Sequence, residues 1–147
     1  MRYLEKAALA GAATGMRSTV AVGALISFGA SGLPDWMAGR VAMVVAPMAV
    51  TGELVVDKLP STPSRLAPQG VAGRAAFAAL AGAVLARGEE QPLLAGAAVA
   101  SAAALASARV CHYLRTAASN RFAPCAVAAA EDGLALGLAG ATGESAP

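Results

Sequence analysis

The chain has 147 residues, of which 57% are hydrophobic and only 14% are charged, and its mean hydropathy is +0.61. Charged residues make up about a quarter of an average soluble domain, so this composition argues against a soluble protein. A soluble alanine-rich bundle would show a charged stripe at about every turn, whereas residues 19–34 and 93–108 contain no charged residue. We therefore expect a single-domain membrane protein whose partner is the lipid bilayer, with no nucleic-acid partner.

Five stretches of the chain are long and apolar enough to cross a bilayer, whose core of about 30 Å needs roughly 20 helical residues. They lie near residues 7–30, 36–57, 69–87, 92–112 and 122–141 and are separated by glycine, proline and charged residues. The first stretch begins like a signal peptide but runs too far and contains Arg17, so we expect it to be retained. The predicted fold is an all-α, polytopic transmembrane helical bundle of about five spans over residues 1–147.

Lysine and arginine are distributed unevenly between the alternate ends of these spans. One side of the membrane would hold Arg2, Lys6, Lys58, Arg65, Arg74, Arg109, Arg115 and Arg121. The other side would hold only Arg40 and Arg87, together with several acids. Because cytoplasmic loops retain positive charge, this pattern predicts a multi-pass protein of a bacterial inner membrane with its N-terminus inside and its C-terminus outside.

Two short segments of the chain are similar to each other. Residues 46–50 read Ala-Pro-Met-Ala-Val and residues 123–127 read Ala-Pro-Cys-Ala-Val, and each segment is followed by an acid, Glu53 or Glu131. The similarity predicts that spans 1 and 2 repeat as spans 4 and 5 in opposite orientation, an inverted repeat (2+1+2). Transporters of this plan bind solute near the midplane at interrupted helices, and prolines 47 and 124 would supply the interruptions. Chance similarity in a biased composition is the alternative.

Several ionisable residues lie inside the predicted spans, where each costs a few kcal/mol and usually has a functional role and a partner. Arg17 and Glu131 both lie roughly 14–15 Å from the inner ends of their spans, and Asp132 follows Glu131. Arg74 and Glu53 both lie roughly 8 Å deep. We therefore expect Arg17 to meet Glu131 and Arg74 to meet Glu53, either to hold the bundle together or to bind an ion or solute.

Motifs of familiar catalytic sites are absent from the sequence, including a Gly-rich phosphate loop, His-Glu-x-x-His and Gly-x-Ser-x-Gly. Cys111 and Cys125 do not have the spacing of a metal or redox site. We expect no enzyme activity, no catalytic residue, no cofactor and no metal. The polar segment with Lys58 and Arg65 predicts a fixed cytoplasmic turn, and binding of phosphate headgroups by its hydroxyls is the alternative.

Three segments together resemble a known family: Gly15-Met16-Arg17-Ser18; Gly52-Glu53-Leu54-Val55-Val56-Asp57-Lys58-Leu59-Pro60 with Pro63-Ser64-Arg65; and Glu131-Asp132. Over nearly its whole length the chain is similar to the bacterial integral membrane family catalogued as domain of unknown function 4126, although the fourth span matches only by composition. The resemblance implies a multi-pass membrane protein without an assigned activity. The positions that match the family pattern are Arg17, Ser18, Glu53, Asp57, Lys58, Pro60, Arg65, Arg74, Glu131 and Asp132.

These observations favour a small transporter or channel-like permease with a charged midplane site. We expect a homo-oligomer, such as a dimer, because five short helices enclose little volume. The candidate residues for binding a solute or ion are Arg17, Ser18, Glu53, Asp57, Arg74, Glu131 and Asp132. The alternative is a non-transporting membrane scaffold or accessory subunit in which the same charges only hold helices together.

Overall fold

The structure is a computed structural model that describes residues 2–56, 68–119 and 121–143. These residues form helices and turns, with no strand among them. The helices are α1 (Tyr3–Met16), α2 (Val20–Ser27), α3 (Asp35–Ala38), α4 (Arg40–Val56), α5 (Pro68–Gly88), α6 (Leu93–Ser119) and α7 (Pro124–Gly143). The predicted all-α class is confirmed for the described residues.

Three helices are long and apolar enough to cross a membrane, namely α5, α6 and α7. The first predicted span, 7–30, is divided into α1 and α2, of 14 and 8 residues, and each is shorter than the roughly 20 residues that a crossing needs. The second predicted span, 36–57, is divided into the short α3 and α4, of which 17 residues are described. The described residues therefore support a membrane helical bundle, and three of their helices have the length and composition of a span, fewer than the five predicted.

Helices α1 and α2 form a hairpin that turns back inside the bundle at residues 17–19. Lys6, near the start of α1, and Ala30, just after α2, line the same small cavity together with Glu89. A continuous helix would separate Lys6 from Ala30 by about 36 Å, at 1.5 Å per residue. The pair is therefore a re-entrant hairpin, and we call residues 17–19 the hairpin tip.

A left-handed glycine ends the second arm of this hairpin. Gly29 has a φ of 66°. Its N–H donates to the carbonyl of Ile26 at 3.1 Å, and the N–H of Ala30 donates to the carbonyl of Leu25 at 3.0 Å. This is the Schellman pattern, in which glycine takes a conformation that other residues rarely adopt. The chain then passes over the end of the bundle into α3 and α4.

Both described ends of the chain lie at the same end of the bundle. Thr142, near the end of α7, lines the same cavity as Lys6. This placement disagrees with the prediction of an N-terminus and a C-terminus on opposite sides of the membrane. The physical reason is the hairpin, which returns the chain to the end of the bundle from which it started.

The packing of α1 against α6 does not agree with the predicted inverted repeat. Gly11 lies against Ala100 and Gly15 lies against Ala104, so the two helices run in the same direction. An inverted repeat that relates span 1 to span 4 requires opposite directions. The packing of these two helices therefore gives no support to the inverted repeat.

The two prolines of those pentapeptides do not interrupt helices. Pro47 lies inside α4, which continues through it, and Thr51 Oγ1 donates to the carbonyl of Pro47 at 2.8 Å. Pro124 is the first residue of α7, where a missing N–H breaks no helical hydrogen bond. The interruption falls instead at the hairpin tip, which contains no proline.

Alanines make up most of the buried apolar residues, and many large apolar residues face outward. Ala10, Ala81 and Ala100 are completely buried, whereas Val41 and Leu94 are 76% and 85% exposed. A soluble protein rarely exposes so much apolar surface, but lipid-facing helices do so routinely. Close contact between alanine and glycine surfaces is the usual way in which membrane helices pack.

A Gly11→Ala substitution tests this close contact between α1 and α6. In Gly11→Ala the new Cβ would lie 2.8 Å from Ala100 Cα, so we expect overpacking to lower stability by about 1–3 kcal/mol. Gly137→Ala is the matched control, because that position is open and alanine favours helix. Thermal unfolding of both variants in detergent measures the effect. A Gly11→Ala protein as stable as Gly137→Ala would contradict the packing.

The re-entrant hairpin predicts which positions react from one face of the membrane. Single cysteines introduced by Glu5→Cys, Asp35→Cys and Gln91→Cys, in a Cys111→Ala, Cys125→Ala background, should react with an impermeant maleimide from the same face. The native Cys125, retained alone, should react from the opposite face, because it lies at the other end of α7. If residues 7–30 formed a single crossing, positions 5 and 35 would react from opposite faces. That result would contradict the hairpin.

Candidate functional site

The hairpin tip is a short non-helical segment between two helices. The N–H of Arg17 donates to the carbonyl of Ala13 at 2.9 Å and ends α1, and the backbone of Arg17 is extended, with φ −140° and ψ 117°. Ser18 and Thr19 follow, and their side chains compete with the helix for backbone hydrogen bonds. Helix α2 then begins at Val20. The local sequence thus leaves the amides of residues 18 and 19 outside any helical ladder.

The carboxylate of Glu53 on α4 accepts these amides. Ser18 N–H donates to Glu53 Oε1 at 2.6 Å, and Thr19 N–H donates to Glu53 Oε2 at 2.8 Å. Thr19 Oγ1 donates to the same Oε2 at 2.7 Å. Hydrogen bonds to an ionised acceptor are short and strong, so Glu53 ties α4 to the tip.

Arg17 binds the second carboxylate at the tip. Its Nε donates to Asp132 Oδ1 on α7 at 2.7 Å, and its Nη2 donates to the same oxygen. The side chain of Arg17 is 3% exposed and that of Asp132 is 15% exposed. This is a nearly buried ion pair that joins the hairpin tip to α7.

Glu131 has a partner that the sequence analysis did not name. Its Oε2 lies 3.3 Å from Nη2 of Arg115 on α6, and the Glu131 side chain is 9% exposed. Arg17 was the predicted partner of Glu131, and the structure places the adjacent Asp132 on that guanidinium. Neighbouring acids on α7 therefore face two different helices, because successive helical residues point about 100° apart.

Arg74 does not pair with Glu53 within the described residues, which corrects the second predicted ion pair. Its Nη1 donates to the carbonyl of Gly70 at 3.3 Å, one turn earlier on α5, and the residue is only 4% exposed. Glu53 is instead occupied by the tip. The remaining predicted positions, Asp57, Lys58, Pro60 and Arg65, lie outside the described residues.

Two apolar grooves of about 420 Å³ each flank the α2–α4 pair. One groove extends from Thr19 to Trp36 between α4 and α5. The other lies between α4 and α7, where Pro47 faces Leu136. Helix α4 packs on α2 and α3, so the Glu53 hydrogen bonds hold a helix that has apolar space on both sides.

The hydrogen-bond donors at the hairpin tip are those of an oxyanion-binding site. The Glu53 carboxylate of the protein itself takes the place of the oxyanion. Two amide N–H groups and one hydroxyl, directed at a single carboxylate, are complementary to any small oxyanion. No group of three or more His, Cys, Asp or Glu side chains suited to a metal occurs among the described residues. The donors at the hairpin tip favour binding of a ligand through hydrogen bonds and charge.

Thr19, Arg115 and the Lys6–Glu89 ion pair were not among the predicted site residues. Lys6 Nζ lies 2.5 Å from Glu89 Oε1, at the end of the bundle that holds both described ends of the chain. The signal for Thr19 was present, because Arg-Ser-Thr is a polar triplet within an otherwise apolar stretch. Lys6 and Glu89 are 83 residues apart in sequence, and their pairing follows only from the hairpin.

Comparison with protein-family models, with curated proteins and with solved structures found no match for this chain. The resemblance to the family catalogued as domain of unknown function 4126 therefore stays a prediction.

A double-mutant cycle tests the Arg17–Asp132 pair. Loss of one partner of a buried pair costs about 3–5 kcal/mol because the other charge is left uncompensated. We therefore expect Arg17→Gln and Asp132→Asn to be strongly coupled in the free energy of unfolding. Lys6→Gln with Glu89→Gln is the comparison cycle, since Glu89 is 37% exposed and solvent weakens its attraction to Lys6, so we expect a smaller coupling energy. Equal coupling energies in the two cycles would argue against a special role for the tip pair.

Proposed function

We propose that this protein is a small multi-pass permease or channel-like transporter whose polar pathway passes the hairpin tip. One observation carries the proposal, namely the non-helical backbone at residues 17–19, which lies inside the bundle and binds carboxylates from α4 and α7. At membrane depth, non-helical backbone is tolerated only where it is buried in protein or lines a water-filled cavity. Interrupted helices of this kind form the solute sites of many transporters.

In this proposal Glu53 is the group that moves. Displacement of its carboxylate from Ser18 and Thr19 exposes two N–H donors and a hydroxyl to a polar solute. Helix α4 can follow that movement, because among the described residues it packs mainly on α2 and α3 and has apolar grooves on either side. Arg17 stays paired with Asp132 and keeps the tip in place.

The membrane in this proposal is a bacterial inner membrane, with the α4–α5 and α6–α7 connections in the cytoplasm. Those connections contain Lys58, Arg65 and Arg121, and cytoplasmic connections are enriched in lysine and arginine. Both described chain ends then lie on the outer side. The proposed orientation of the N-terminal end thus differs from the sequence-based expectation.

We also propose that the protein works as a homo-oligomer, in the simplest case a dimer. The interior of one copy is filled with alanine, whereas Val44 and Met48 of α4 are 60% and 67% exposed. A second copy against this face would supply walls that one small bundle lacks.

A scaffold or accessory subunit without transport is the second candidate, and one observation favours it. The charges at the tip and on α7 have partners, since Asp132 pairs with Arg17 and Glu131 pairs with Arg115. Pairs of this kind can serve only to fix helix positions.

The Thr19→Val variant separates the two candidates, because it removes one hydroxyl from the tip and keeps every charge. Purified protein in detergent is heated with a panel of salts and small polar solutes, and Ser101→Ala serves as the control. Ser101 donates a comparable hydroxyl hydrogen bond, to the carbonyl of Ala75 at 3.1 Å, away from the tip.

A permease predicts a solute that stabilises wild type and Ser101→Ala by about 2.7 kcal/mol at a hundred times Kd and so raises their unfolding midpoints. The same solute should leave the midpoint of Thr19→Val unchanged. The same solute should then cross proteoliposomes that contain the wild type. If no solute raises any midpoint and Thr19→Val is merely less stable, the scaffold is supported and the permease is rejected.

A further inference from the structure

The hydrogen bonds at the hairpin tip lie at one end of the apolar groove between α4 and α5. On α4 this groove is lined by Ala42, Ala46 and Ala49, and Glu53 follows four residues after Ala49. Residues at this spacing share one face of a helix. On the hairpin, Thr19 itself lines the groove. The surfaces that form the groove therefore lead to the hydrogen bonds between Thr19 and Glu53.

The groove has the dimensions of one acyl chain. Its volume is about 420 Å³, within the range of about 300–1,000 Å³ that is typical of small-molecule sites. Between Glu53 and Val41, which lines the opposite end, α4 rises about 18 Å. A single acyl chain reaches across half of the hydrocarbon core of a bilayer, about 15 Å. Apart from Thr19, the described lining consists of apolar residues.

The groove is open to the membrane along its side. Val41, Val45 and Trp36 line it, and they are 76%, 53% and 74% exposed. Large apolar side chains on the outside of a membrane bundle contact acyl chains, and tryptophan is enriched at the level of the headgroups. A molecule with an apolar tail can therefore enter the groove sideways from the bilayer.

The donors at the hairpin tip are spaced for the two oxygens of one carboxylate. The N–H of Ser18 binds one oxygen of Glu53, and the N–H of Thr19 binds the other. The hydroxyl of Thr19 adds a third hydrogen bond. Glu53 is partly exposed, so a carboxylate that comes from the groove can reach the same donors.

We propose that the solute of the permease is a single-chain carboxylic acid with a long apolar tail. Its carboxylate replaces that of Glu53 on the N–H groups of Ser18 and Thr19, and its tail lies in the groove toward Trp36. One carboxylate takes the place of another, so the donors at the tip keep an anionic acceptor. This inference rests on the proposed function, because it uses the same displacement of Glu53.

The fluorescence of Trp36 measures occupancy of the groove, because Trp36 lines it and is the single tryptophan of the chain. The probes are dodecanoate and dodecanol, each with a terminal bromine atom, which quenches tryptophan at close range. They are added to the protein in phosphatidylcholine nanodiscs. We expect the brominated acid to quench Trp36 saturably and excess unbrominated dodecanoate to restore the fluorescence. The brominated alcohol, which lacks the carboxylate, should quench only weakly.

Two phenylalanine variants test the position of the tail. Ala49→Phe fills the groove and leaves the donors of the tip intact, whereas Ala102→Phe makes the same change at an exposed position of α6. We expect saturable quenching to be lost in Ala49→Phe and kept in Ala102→Phe. Thr19→Val removes one hydrogen bond to an ionised group, so it should raise the Kd of the brominated acid at least about tenfold.

The outcomes separate this inference from the proposed function. Equal quenching by the acid and the alcohol would show partition into lipid and would overturn the carboxylate assignment. Saturable quenching that persists in Ala49→Phe would overturn the placement of the tail. If acetate raises the unfolding midpoint of wild type but not of Thr19→Val, and dodecanoate does not quench Trp36 saturably, the permease is kept and the long-chain solute is rejected.

Discussion

The fold depends on one physical constraint, which is that backbone polar groups inside a membrane bundle need hydrogen-bond partners. At residues 17–19 the helix stops, and the amides of Ser18 and Thr19 lose the partners that a continuous helix would provide. An unsatisfied group in hydrocarbon costs several kcal/mol. Glu53 satisfies both amides, and the adjacent Arg17 binds Asp132. A single break in the chain thereby fixes the positions of α4 and α7 relative to the hairpin.

Small side chains make room for that hairpin between the longer helices. Gly11 and Gly15 bring α1 against the backbone of α6, and Gly82 brings α5 against Gly96 of the same helix. Because hydrophobic burial does not drive helices together in lipid, close packing of such surfaces supplies much of the attraction. The alanine-rich composition is therefore a requirement of the architecture, in which three helices meet with little side-chain volume between them.

The sequence predicted the helical class and most of the residues at the tip, but not how the chain is routed. Arg17, Ser18, Glu53 and Asp132 could be found because polar groups in apolar stretches are conspicuous. Hydropathy along residues 7–30 cannot distinguish one crossing from two arms that turn back, since both are apolar throughout. Depth arithmetic then assigned the wrong partner to Glu53, because it assumed a straight first span. The adjacent acids 131 and 132 could not be told apart without knowing which helix each one faces.

The order of synthesis gives the hairpin an unusual biogenesis. Its arms emerge from the ribosome first, but the partners of its tip follow much later, 35 residues on for the Ser18 amide and 115 residues on for the Arg17 guanidinium. The amides of Ser18 and Thr19 therefore lack their Glu53 acceptor until α4 has been made, and Arg17 lacks its Asp132 partner until α7 has been made. Completion of α7 is the event that gives the hairpin tip its Asp132 contact, so loss of α7 would leave the hairpin without that anchor.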